Sequence, residues 1–220
     1  TQGVSSAASD VYKRQSDTRV EAPKMFREMD GVRLENVQIS NAQETLWHCR
    51  NVDLKNVRAD RADYLFLHGE NIRIEDYVQN GNYSFQYCRN VTIRDAEIHS
   101  KDAFWNSEDV TVYDSVLDGE YLGWHSKRLK LVNCRISGTQ PLCYAQDLVM
   151  ENCTMDDDCD LAFEYSTLRA DIKGCVRSVK NPRSGSITAG GYGEIILDAH
   201  VKAPADCEIR VGGERNCFSA

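Results

Sequence analysis

The chain has 220 residues, of which 41 % are hydrophobic and 27 % charged, and a formal net charge of −8, a balance ordinary for a soluble globular protein with a core of its own. An acidic excess neutralises no phosphates, so neither nucleic acid nor an anionic membrane is expected as the main partner, and no apolar run approaches the roughly 18 residues of a membrane-spanning helix. Nine cysteines, with no CxxC pair and no Cys/His finger spacing, point to neither a complete disulfide framework nor a structural zinc site. Mostly reduced thiols and a cytoplasmic location are the expectation.

Residues 1–20 are polar, with no period of 2 or 3.6. Within them VSSAASDVYKRQ resembles a translated adapter scar, so this segment is expected to lie outside the fold, followed by one domain over 21–220 that has lost authentic sequence upstream.

From Gly31 onward the chain repeats. Copies start at Gly31, Asn51, Asn71, Asn90, Asp109, Arg128 and Asp147, with a looser copy near Thr167, at spacings of 19–20 residues. Apolar residues fill the second and fourth places, from Val32/Leu34 through Val91/Ile93 and Val110/Val112 to Leu129/Leu131 and Leu148/Met150, which is strand alternation. The sixth place holds only Asn or Asp: Asn36, Asn56, Asp76, Asp95, Asp114, Asn133 and Asn152. Those residue types tolerate a left-handed backbone and bond their own neighbours. Cys134 and Cys153 stand where Val37 and Val57 stand in earlier copies, so they are expected to be small core residues.

A period near 19 without helical stretches excludes helical solenoids and leucine-rich repeats. It predicts an all-β, right-handed parallel β-helix of eight or nine coils, with like positions stacked about 4.8 Å apart. After Ser166 the period loosens. Asn181–Gly185 and the glycines at 190, 191 and 193 are expected to be turns, and Ile195–Leu197 and Glu208–Val211 the last strands.

The segments APKMFREMDGVRLENVQI, NAQETLWHC, SKDAFWNSEDVTVYDS, GEYLGWHSK, PLCYAQDLVMENC, LAFEYST and SVKNPRSGSI resemble, between about Ala22 and Ala199, a bacterial family of unknown function among the pectin-lyase-like right-handed β-helices. The resemblance implies the fold, brings no established activity, and implies further coils upstream. The NTD, DD and GHG set of the polygalacturonases is absent, as is the calcium and arginine constellation of the pectate lyases.

Setting each coil back from its first core residue gives two adjacent columns, one with Trp47, Leu67, Gln86, Trp105, Trp124, Cys143 and Phe163, the next with His48, His68, Tyr87, Asn106, His125, Tyr144 and Glu164. Strand alternation predicts that one faces outward and one inward. An outward strip of Trp47, Trp105, Trp124 and Tyr121, flanked by Lys101 and Lys127, suits stacking on sugar rings, with His, Asn and acids taking the hydroxyls. A third, polar column reads Glu44, Asp63, Asn82, Asp102, Glu120, Gln140 and Asp160. It sets Asp102 beside Glu120, the separation of a retaining glycosidase's carboxylates, with His125 nearby as a third catalytic candidate. His48, His68 and His125 lie too many coils apart to share an ion, and Asp156–Asp158 with Asp160 read as a solvated acidic loop rather than a calcium site. No metal or cofactor is expected. The functional expectation is a β-helix that recognises or processes a glycan along this strip. The alternative is a non-catalytic scaffold or protein-binding module.

Overall fold

The structure, a computed structural model, describes residues 13–199, 206–212 and 217. Among them are thirteen strands and no helix: β1 (Lys13–Val20), β2 (Asp30–Ile39), β3 (Arg50–Asp60), β4 (Glu70–Asn80), β5 (Arg89–His99), β6 (Glu108–Tyr113), β7 (Val116–Asp118), β8 (Lys130–Val132), β9 (Arg135–Ser137), β10 (Leu148–Met155), β11 (Thr167–Lys180), β12 (Ser184–Ile196) and β13 (Asp206–Val211). Every pairing is parallel, in the order β1-β2-β3-β4-β5-β6-β8-β10-β11-β12-β13. The chain is therefore a parallel β-solenoid of about ten turns, slightly longer than its repeat count predicted.

The repeat's second and fourth places set the register. Val52, Ile72, Val91 and Val110 are successive partners, and so are Leu54, Ile74, Ile93, Val112, Leu131, Met150, Ala170 and Ile187. These side chains are all nearly or fully buried. Each buried aliphatic side chain contributes about 1.5–3 kcal/mol relative to exposure, so the repeated core is the main stabilising term.

The sixth place bends each strand. Asn36, Asn56, Asp76, Asp95, Asp114, Asn133 and Asn152 all have φ between 49° and 58°, a left-handed conformation that costs most residues roughly 1–2 kcal/mol. Side-chain amides offset part of that cost by bonding along the stack: Asn56 donates to Asn36 at 2.8 Å and Asn133 to Asp114 at 2.8 Å. A second ladder runs through the first place, where Asn71 donates to Asn51 and Asn90 to Asn71.

Two terminal expectations change. Residues 1–12 lie outside the described residues, but Lys13–Val20 is a strand whose partners run from Lys13↔Val32 to Val20↔Ile39. Asp17, at φ 50°, accepts from the Asn36 amide at 3.0 Å and so extends the first ladder. Repetition missed this strand because Gln15 and Thr18 stand opposite Leu34 and Val37, leaving only Val20 as an apolar residue buried in register. Gly190, Gly191 and Gly193 lie inside β12 rather than in a turn. A Cβ at Gly190 would come within 2.8 Å of the Gly174 carbonyl oxygen, so the close approach of the bulged β11 calls for glycine there.

Cys134 and Cys153 are buried as core residues. Burial also pushes the thiols of Cys88, Cys143 and Cys159 up to about 12, which keeps them inert. Seven cysteines are free, and Cys175 and Cys217 form a disulfide with Cα atoms 5.8 Å apart.

Candidate functional site

The corner that leads into each long strand is built from left-handed residues at alternate positions. In one coil these are Tyr64, Phe66 and His68, in the next Tyr83, Phe85 and Tyr87, and then Asp102, Phe104 and Asn106. Such a backbone is not an extended strand, so side chains stop alternating between two faces. The buried column is the middle one: Leu46, Phe66, Phe85, Phe104, Leu142 and Phe163. Phe66, Phe85 and Phe104 stack on one another inside the solenoid at 4.8 and 5.1 Å.

With that column filling the interior, the tryptophans and the His column both reach the surface, while Cys143 of the Trp column is buried and Phe163 belongs to the interior column. Trp47, Trp105 and Trp124 are half-buried and His48, His68, Tyr87, Asn106 and His125 exposed, which corrects the expectation that one of the two faces inward. His48 stacks on His68 at 5.0 Å and His68 on Tyr87 at 4.8 Å. Asn106 interrupts the series, which resumes with His125 on Tyr144 at 4.9 Å and Tyr144 near Tyr165 at 5.8 Å. Tyr165, not Glu164, therefore ends this column, because one residue fewer links that corner to its strand. A further outward column, Tyr64, Tyr83 and Tyr121, runs alongside, with Tyr64 stacked on Tyr83 at 4.7 Å.

Around residues 101–127 the expected binding residues come together. The Lys101 ammonium lies 5.1 Å from the Tyr121 ring, Tyr121 meets Trp124 edge-on at 5.0 Å, and Trp105 and Trp124 tilt together at 5.5 Å. Trp105 also contacts His125 at 5.4 Å. The Trp124 indole donates to the Gln140 carbonyl at 2.7 Å, which anchors one edge. Lys127 lies with His125 along the adjacent cleft. Trp47 is three coils away, and its ring is capped by the Arg27 guanidinium at 4.2 Å.

The acidic column separates into two. The Asp102 amide donates to the Glu120 carbonyl and the Tyr121 amide to Thr139, which puts Asp102 in line with Tyr121, and Glu120 in line with Lys101. Asp102 is 7 % exposed, and burial raises its carboxyl above the usual carboxylate range, with Lys101 opposing and Glu120 adding to the shift. The Glu120 side chain is half exposed and ion-paired to Lys101 at 3.4 Å. The two carboxylates thus sit in different columns and different environments. Elsewhere Asp156 is held by Arg135 at 2.7 Å, and among the described residues no group of three or more His, Cys, Asp or Glu side chains is placed to hold a metal ion.

Two features escaped the repeat alignment. The Phe column was hidden because Leu, Phe and Gly share it, and the Tyr column because it was merged with the acids of its neighbour. The φ-positive spacing of two at each corner marks both columns, but no sequence pattern announces it.

These features define the class as an all-β parallel solenoid with one outward aromatic corner. The chain belongs to the family described as "Protein of unknown function (DUF3737)", whose profile matches residues 9–210. Neither a curated protein nor a solved structure matches it.

Proposed function

We propose that the protein is a carbohydrate-recognition solenoid, binding a glycan along the aromatic corner without turning it over. The observation that carries this reading is the outward placement of three columns of rings and polar groups at one corner, continuous over successive coils. Tyr64, Tyr87 and Tyr165 are each 40 % exposed or more. Ring edges and polar groups at regular spacing suit a repeating polymer whose hydroxyls take hydrogen bonds, and the half-buried Trp105 and Trp124, which tilt rather than stack, offer ring surface to a sugar. Against catalysis stand the engagement of Glu120 by Lys101 and its separation in register from Asp102. The Cys175–Cys217 disulfide favours an oxidising compartment over the cytoplasm.

A glycan array followed by calorimetric titration tests the reading. Trp124→Ala removes the ring shared by Trp105, Tyr121 and Tyr144. It is expected to weaken binding at least tenfold, about 1.4 kcal/mol, while the far-ultraviolet spectrum stays that of the parent. An array on which the parent binds no glycan would refute the function.

A further inference from the structure

We propose that the break in the ring ladder at Asn106 is a subsite for one neutral pyranose, an inference that rests on the glycan-binding function above. In an unbroken ladder each ring covers its neighbour's face and only edges meet solvent. His48, His68 and Tyr87 stack within 17° of parallel, and His125 and Tyr144 within 15°. Ring faces are therefore scarce at this corner except where the series stops.

At Asn106 it stops for one coil. Among the described residues Tyr87 has no parallel ring on the side turned toward Asn106, and on the corresponding side of His125 the nearest ring is Trp105, inclined at 53°. Tyr87 and His125 lie two coils apart, roughly 9.6 Å. The same two-coil spacing holds the flat His68 ring between His48 and Tyr87 at 5.0 and 4.8 Å, so the space between Tyr87 and His125 admits one ring-sized group, a sugar chair included. A cleft of roughly 480 Å³ opens at this point, bordered by Tyr87, Asn106 and His125.

The floor and rim fit a sugar as well. The amides of Asn56, Asn71, Asn90, Asn133 and Asn152 are all used in the stack's own ladders. The Asn106 side-chain amide has no hydrogen-bond partner among the described residues, so its two donors and its acceptor face the cleft free to take hydroxyls. The rim carries Glu70, Arg89, Glu108 and Lys127, two carboxylates against two cations, with Arg89 3.5 Å from Glu108. A rim whose charges cancel offers hydrogen bonds without a net field, which favours an uncharged sugar over a polyuronate. A ladder broken without an internal partner for the replacing residue is a local rule violated for something outside the fold.

The test fills the gap. Asn106→Tyr is designed to continue the ladder, and titrations use hexasaccharides of glucose, mannose, xylose, N-acetylglucosamine and galacturonate. Expected are binding of at least one neutral hexasaccharide by the parent, loss of that affinity by tenfold or more in Asn106→Tyr, and a Tm equal to or above the parent's. His125→Ala, which removes one wall, should show a comparable loss and decides the matter if Asn106→Tyr does not fold. Parent-like affinity in these variants, with Trp124→Ala still weakened, would overturn the subsite and leave the function standing. Binding of the galacturonate chain alone would overturn the neutral sugar, and a parent that binds none of the five would overturn the subsite, with the glycan array deciding the function.

Discussion

His99 shows how a single side chain ties coils together through charge. Its Nδ1 lies 2.8 Å from the Asp118 carboxylate one coil on, and its Nε2 lies 2.8 Å from Glu97. Both contacts are hydrogen bonds only when both nitrogens carry protons. The Asp118 hydrogen bond, with Glu97 adding and partial burial opposing, raises the imidazole's pKa above its ordinary value. The Asp118 carboxyl is lowered, first by the Ser137 hydroxyl and then by His99. A raised histidine stabilises the fold below its unfolded value of about 6.5, and that stability is lost as pH rises through the folded value; a lowered aspartate stabilises above about 3.8 and fails as pH falls. Together they predict maximal stability from this group between about pH 4 and 6.5. His99→Gln should flatten the alkaline side of the Tm-against-pH curve by roughly 0.5 kcal/mol, given that the histidine is partly exposed. An unchanged alkaline limb would show that the pairing is without thermodynamic weight.

At the scale of the element, the tight point is the backbone stack at Gly119 and Gly138. Gly138 has φ 106°, and a Cβ built there would sit 2.4 Å from the Gly119 carbonyl oxygen. Its opposing atom is backbone, which has no rotamer to yield. Gly138→Ala is therefore expected to cost about 2–3 kcal/mol, a fall of roughly 5–10 °C in Tm. Gly174→Ala is the control, because φ there is 82° with nothing within 4 Å of the added carbon. It should cost only about 1 kcal/mol of backbone strain. Equal losses in a thermal scan would show that the close approach is not what demands glycine at 138.

For the whole molecule, stability in a solenoid is close to a sum of coil and interface terms, so the ends matter differently from the middle. Removing residues 1–20 takes away β1, whose buried apolar contribution in register is Val20 alone. The expected loss of Tm is a few degrees. What the strand does supply is an edge rich in charged residues (Lys13, Arg14, Asp17 and Arg19) over the apolar-patterned β2, and charged edges resist pairing with other chains. The shortened protein should thus self-associate in sedimentation at concentrations where the parent does not. Identical sedimentation of the two would refute the covering role.

How much of this was legible in the sequence follows from which backbone each part uses. Extended strands keep a period of 2, so the 19–20-residue repeat by itself determined the parallel stack, the register of Ile93 on Val112, the buried Cys134 and Cys153, and the left-handed Asn/Asp position. The corners use left-handed residues at alternate positions, where that period fails. Tertiary structure alone decided that the Phe column goes in while the tryptophans and the His column go out, that Asp102 lines up with Tyr121 rather than Glu120, and that Tyr165 ends the ring ladder. It also decided that Asp17 begins the ladder continued by Asn36, since β1 carries the turn residue without the apolar pattern that would have marked it as a coil. Long-range apolar burial is written in composition and spacing. The facing of a side chain on a curled backbone depends on φ at its neighbours, and at the corners Tyr, Phe, His, Asp and Asn all adopt the same φ because the stack above and below holds them there.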